Sequence, residues 1–510
     1  MKKFSIPLFS IFIALFVCIP SGACGDLKLS GIRQPAVAGQ FYPSDPAKLG
    51  LAIRQFLDDS PSIPMEDPLA VIVPHAGYIY SGQICADAFR QVMNRRYDVF
   101  VILGVNHTTG GFRGISLADY ESFRTPLGDI PIDETVTAEL LAKCTDCVRN
   151  REVHLKEHSI EVQLPFIQVL FPDAKIVPVI IHPPDPDLCA RFGKILAGVL
   201  KDKKALIVIS SDLSHYPDSA EAFKTDQETL EAISSLDPQN IVSVMHNLNA
   251  PNLDTRACGE AGILSGITAA KLLGATHAVV AGYANSGDIA IGDRTRAVGY
   301  GAVALVPGAT KIETTAFNRP KAPDTATPLK DSEKRILLTF ARKTLRQYLT
   351  TQTIPLARNF PARLSFKQGV FVTLRSSGLL RGCIGSLLPQ DELGKTVGTM
   401  ALQAALNDPR FPPVEAKELD GLEIEISVLT PLKSVSGPDQ IAVGQDGVLL
   451  AKEGKSAVFL PQVAPENNWN RTQMLNNLCT KAQLPSGCWK KNARFEIFRA
   501  EVFSEQESSR

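Results

Sequence analysis

The chain has no excess of charge of either sign: its 510 residues carry 53 Lys and Arg against 53 Asp and Glu. Nucleic-acid binding usually leaves a net basic footprint, so nucleic acid is not expected as the main partner. Cysteine is sparse. Ten in 510 residues do not make a small disulfide-dependent scaffold. After the N-terminal segment no stretch is long and apolar enough to span a bilayer, and there is no internal repeat. The length implies more than one domain.

The N-terminal segment has its own pattern. Lys2 and Lys3 precede an apolar run from about Phe4 to Ile19, and Ser21, Gly22 and Ala23 follow. Charged, apolar and then small is the order of a secretory signal peptide, read here over residues 1–24. The run is short for a membrane span. "SGAC" ending at Cys24 is also a lipoprotein-like cleavage box, although Ser21 stands where a leucine-like residue is usual. Two outcomes follow: a lipid anchor at Cys24, or ordinary cleavage before it. Either way the expectation is export from a bacterial cytoplasm, to the periplasm or to a membrane surface. Cys144 and Cys147 form a lone C-x-x-C. With no second pair nearby, a local disulfide or two free thiols is favoured over zinc.

Residues 31–307 alternate apolar runs with amphipathic stretches. "LAVIVPH", "DVFVILGVNH", "KIVPVIIH" and "KALIVISSD" are nearly continuous and β-branched, as strands covered on both faces are. Together with helical patterns such as "GEAGILSGITAAKLL", they predict an α/β domain with a central sheet. Residues 308–331 are rich in Thr, Pro, Ala and Lys and lack periodicity, so they read as a linker. A second domain over 332–505 opens with the helical "SEKRILLTFARKTLRQYL", with Ser332 as its N-cap. Next come the strand-like "GVFVTLR", a helix, the strand-like "LEIEISVLT", a hairpin in "GVLLAKEGKSAVFLP" and a last strand "ARFEIFRAEVF". Strands and helices without regular alternation predict an α+β fold.

Three strand candidates end in histidine-bearing loops: at His75, at His107, and at Asp212 with His215. Ligands in open α/β sheets bind outside the carboxyl ends of strands. One strand-end histidine is usually a hydrogen-bonded loop residue, but three together point to a site. Glu157 and His158 open a helical pattern, where Glu157 could serve only the helix dipole. Cys258 lies near another helix start, a position that lowers a thiol pKa and favours the metal-binding thiolate. His154, His182, His246 and His277 read as structural.

The segments "PAVAGQFYP", "PHAGYIYSG", "LGVNH", "EHSIEVQLPF", "SSDLSHY", "ACGEAGI" and "NSGD", in this order, resemble the MEMO family. "LLRGCIGSL" and "LNDPRFPPV" resemble the AMMECR1 family. Together they resemble proteins B and A of the AmmeMemoRadiSam system, whose third member, a radical S-adenosylmethionine protein, is then an implied partner. Such a partner needs a reducing cytosol, so export conflicts with direct partnership unless the chain acts before export. The MEMO resemblance implies a class III extradiol dioxygenase-like fold and a mononuclear metal ion held by His75, His107 and Cys258. It also implies that His215 sits where an acid/base histidine is kept, with Asp212 beside it. His158 matches the family motif. A thiolate ligand suits copper(I) as well as iron(II), so dioxygenase activity does not travel with the fold. In "LRGCIG", Arg381 and Cys383 read either as a second site, with glycines allowing close approach of a ligand, or as a tight turn.

Metal-dependent redox chemistry on an unknown small molecule is the expected function. A peptide- or protein-binding scaffold and a copper or iron carrier are the alternatives. A titratable His/Asp pair beside a metal favours the first, because a pure binder has less need of one.

Overall fold

The computed structural model describes residues 31–308, 327–389 and 391–508. The signal peptide, Cys24 and all but the ends of the linker lie outside them. Among the described residues no helix is long and apolar enough to cross a membrane.

Residues 31–308 build an α/β layer structure around an eight-stranded mixed sheet. Its centre is four parallel strands in the order Ala70–Val73, Ala205–Ser210, Val99–Gly104 and Lys175–His182. Strand periodicity splits their side chains into two cores. Val71, Val73, Phe100, Ile102 and Val208 face helices Pro46–Asp59 and Tyr78–Arg90. Ile72, Val101, Leu103, Ile207 and Ile209 face helices Pro186–Leu200 and Glu260–Leu272. This burial on both faces is why the runs are apolar without a break. The antiparallel strands Gly299–Val306 and His277–Asn285 extend one edge.

The second domain is α+β. One antiparallel sheet has the order Leu379–Ser386, Val370–Ser376, Leu422–Leu429, Ala500–Ser504, and helices Asp331–Thr351 and Leu393–Leu406 share a core with it. The other has the order Lys433–Val435, Arg494–Phe498, Gly447–Lys452, Lys455–Phe459, with helix Arg471–Lys481 in its core. The expected hairpin is there. Its two turn residues, Glu453 and Gly454, both have positive φ (53° and 74°), as a tight hairpin turn requires. Two expectations are corrected. "ARFEIFRAEVF" is two strands in different sheets, because the chain crosses over at Arg499, whose backbone pairs with Thr430. Ser332 is not the cap: the first helix starts at Asp331, and Glu333 accepts the Lys330 amide at 2.8 Å.

The domains pack together. Ile79, Ile289 and Ala290 of the first domain join the core of the second. Arg358 pairs with the buried Asp87, Lys343 with Asp59, and Arg294 with Asp391. Cys144–Cys147 is a disulfide, and Cys479–Cys488 is a second one that the sequence reading did not anticipate.

His154 is buried, with Nε2 against the Ser116 carbonyl and hydroxyl at 3.2 and 3.0 Å. Burial pushes its pKa down to about 3. An unfolded histidine titrates near 6.5. As pH falls below that value the unfolded chain takes up a proton that the folded chain refuses. Stability should therefore fall by about 1.4 kcal/mol per pH unit from this group alone. His154→Gln should flatten the pH dependence of urea unfolding between about pH 6.5 and 4. An unchanged slope would assign the loss to other groups.

Candidate metal centre

The strands Ala70–Val73, Ala205–Ser210 and Val99–Gly104 are neighbours in the sheet, so their carboxyl ends open side by side. His75, Asp212 and His107 lie just beyond those ends, and the turn at 157–160 brings His158 beside them. The ligating atoms of His75, His107 and His158 all lie within 4.8 Å of one another. Ring centroids are 5.2 Å apart for His75–His107, 5.5 Å for His75–His158 and 4.7 Å for His107–His158.

Hydrogen bonds set two of the tautomers. Ser210 Oγ donates to the Ser159 carbonyl at 2.6 Å and accepts from Gln163 Nε2 at 3.0 Å. With its own proton committed, Ser210 can only accept from His75 Nδ1, 2.9 Å away. His75 Nε2 then carries the lone pair. Glu157 Oε1 is a carboxylate acceptor 3.0 Å from His107 Nδ1, which leaves the lone pair on His107 Nε2. A carboxylate or hydroxyl behind the imidazole is what orients a metal-binding histidine. Burial first, then neighbouring imidazoles, hold His75 well below the usual histidine range. His158 is also held down, chiefly by burial. Both are thus neutral near pH 7 and able to donate a lone pair.

Glu157 is not a helix-dipole residue. It lies in the loop before Glu161–Gln163 and accepts the amides of His107 at 2.7 Å, His158 at 2.8 Å and Ser159 at 2.8 Å. Burial pushes its carboxyl up, but the bonds and charges of His107 and His158 outweigh it and hold the pKa at about 2. Glu157 is therefore an anion beneath the imidazoles.

Asp212 anchors the first loop. Its Oδ1 accepts the His75 amide at 2.7 Å, and its Oδ2 lies 4.0 Å from His75 Nε2. Burial pushes its carboxyl up. The His215 amide is tied to the Thr255 carbonyl at 3.0 Å, while its Nε2 is buried with no partner among the described residues. Burial holds this imidazole down, and Asp212 opposes that. Cys258 is not in the three-histidine set, yet its Sγ is 3.2 Å from His75 Nε2. Gly259 permits this approach, since a Cβ there would lie 2.5 Å from the Ser210 carbonyl oxygen. The thiol pKa is not lowered as a helix start would suggest: burial, then the charge of Asp212, push it up.

Three supporting residues escaped the sequence reading: Ser210, Gln163 and Phe41, whose ring meets His158 edge-on at 5.0 Å. The signal for Gln163 was a polar side chain inside an apolar run, which is costly to bury without partners. Arg381 and Cys383 share a strand of the second domain but have different roles. Arg381 is the extra residue of a bulge and pairs with Glu418 at 2.8 Å. The Cys383 amide donates to Asp408 Oδ2 at 2.8 Å, and its thiol lines a cleft. The glycines around Cys383 serve packing, not ligand approach. A Cβ on Gly382 would lie 2.1 Å from the Ala404 carbonyl oxygen, and one on Gly385 2.2 Å from the Phe371 ring.

A family model described as Memo-like protein matches residues 33–304. The chain belongs to the Memo-like family. An AMMECR1 model matches residues 338–503, so the two domains stand in tandem. A MEMO1 family protein of Aquifex aeolicus (strain VF5) is 37% identical over 272 residues, 53% of this chain and 97% of that protein. One of Methanosarcina barkeri is 36% identical over 275 residues, 53% and 99% of the two chains. Among solved structures, an uncharacterised protein of Pyrococcus horikoshii is 37% identical, over 35% of this chain and 94% of that one, with a TM-score of 0.34. The histidine cluster lies within the Memo-like portion.

Proposed function

We propose that the Memo-like domain holds one transition-metal ion, iron(II) or copper(I), at His75, His107 and His158, and carries out redox chemistry there on a small molecule. The observation that carries this reading is the convergence of three imidazole donors within 4.8 Å, two with their lone pairs set by partners behind them. Three neutral imidazoles suit a divalent or monovalent transition metal and leave coordination positions open, as catalytic sites do. When bound, the ion supplies electron transfer. The chain's residues orient the imidazoles through Ser210 and Glu157, and His215 takes up or delivers a proton at Nε2.

A second ligand set is favoured by Cys258. Donors 2.0–2.3 Å from one ion are themselves roughly 3.5 Å apart in tetrahedral geometry, close to the 3.2 Å between Cys258 Sγ and His75 Nε2. In that set the thiolate replaces His158. Metal content by mass spectrometry after anaerobic purification decides between them. His75→Ala should empty the site. Loss in His158→Ala but not Cys258→Ala selects the three-histidine set, and the reverse selects the thiolate set. Glu157→Gln should weaken metal affinity by about 10–100-fold. Wild-type chain that retains neither iron nor copper would sink the proposal.

The signal-like N-terminus supports export as part of this reading. Two disulfides, Cys144–Cys147 and Cys479–Cys488, fit an oxidising compartment.

A further inference from the structure

The second domain has two separate cores, one with each sheet. At the seam between them a cleft of about 550 Å³ stays unfilled. That is a usual size for a small-molecule site. Phe371, Ile384, Phe459 and Val463 give it apolar walls, and Cys383 lies on one of them.

Most of its charges satisfy one another. Arg410 is held by both oxygens of Asp408, at 2.7 and 2.9 Å. Arg375 faces Glu425 at 3.7 Å. Two lining groups of opposite sign remain. Lys481 donates to the Val458 carbonyl at 3.0 Å and lies 4.9 Å from the Phe459 ring, but no carboxylate among the described residues pairs with it. Glu466 has no cationic partner among the described residues.

One spare cation, one spare anion and aromatic walls match a zwitterion with an apolar body. We propose that this cleft binds a free amino acid or short peptide, with its carboxylate at Lys481, its ammonium at Glu466, and its side chain against Phe371 and Phe459. Burial and Arg410 both push the Lys481 ammonium down, and a bound carboxylate offsets that. The proposal is independent of the metal centre.

Alkylation of Cys383 by iodoacetamide, followed in the full chain by peptide mass spectrometry, reports occupancy at this wall. The probes are Gly-Phe, Gly-Leu and Gly-Met, each also as the N-acetyl peptide and as the C-terminal amide. Bound probe should slow alkylation by the factor 1 + [L]/Kd, about elevenfold at ten times Kd. The free peptides should protect, and the blocked forms should protect far less. Lys481→Met should remove the preference for free carboxylate over amide. Glu466→Gln should remove the preference for free amine over acetyl. The ratio of rates with and without peptide corrects for any change in intrinsic thiol reactivity. Equal protection by free and blocked peptides, or none from any of them at about 10 mM, overturns the proposal. Discrimination that survives both substitutions also overturns it.

Discussion

Arg358→Ala is expected to destabilise the chain by about 3–5 kcal/mol, the usual effect of stripping one partner from a buried ion pair. Asp87 is 0% exposed and sits on helix Tyr78–Arg90, which begins just after His75. Its charge is met from the second domain. Arg358 reaches both carboxylate oxygens and also donates to the Asp59 carbonyl at 2.8 Å. Removing the guanidinium leaves an anion under protein with, among the described residues, only Gln83, at 3.2 Å, still donating to it. Asp87→Asn needs no counter-charge, so the double variant should recover much of the loss. Urea unfolding of the two single variants and the double variant closes the cycle. A shift in Arg358→Ala below about 0.5 kcal/mol, typical of surface positions, would mean that water reaches Asp87. The same pair bears on organisation: the Memo-like domain is completed electrostatically by its neighbour, and the two are not independent beads on a linker.

His215→Ala should keep the metal content near wild type and lower metal-dependent turnover by about 10²–10⁴-fold, the usual contribution of a positioned proton carrier. His75→Ala should lose both. The difference follows from placement. His75 is in the donor cluster, whereas His215 is outside it with an unpartnered Nε2. Its pKa is held below the ordinary histidine value by burial. It is therefore neutral at pH 7 and ready to accept a proton, and the adjacent Asp212 favours the cation that forms. The sign for pH follows: turnover limited by this base should persist into mildly acidic solution and fall once His215 is protonated. Oxygen consumption with ascorbate as reductant reads turnover, and mass spectrometry reads metal. Metal lost from His215→Ala would make His215 a ligand. Absence of turnover from the wild type with either iron or copper would favour a scaffold or a carrier.

Much of this was written locally. The unbroken apolar runs ending at His75, His107 and Asp212 specify strands buried on both faces, and their endings mark where a ligand would sit. The turn at Glu453 and Gly454 needs only its own residues. Other features depend on pairings between distant segments, which carry no local pattern. The strand Ala205–Ser210 lies between Ala70–Val73 and Val99–Gly104, and only that order places the three endings side by side. Ser210 fixes the tautomer of His75, 135 residues away, and its serine looks ordinary in the sequence. His158 enters the donor set because Glu157 folds its turn under His107. Arg358 meets Asp87 across 271 residues. The sequence by itself determined which residues could donate, neutralise or turn. The tertiary structure decided which of them meet, because strand order and burial are set by the packing of the whole chain.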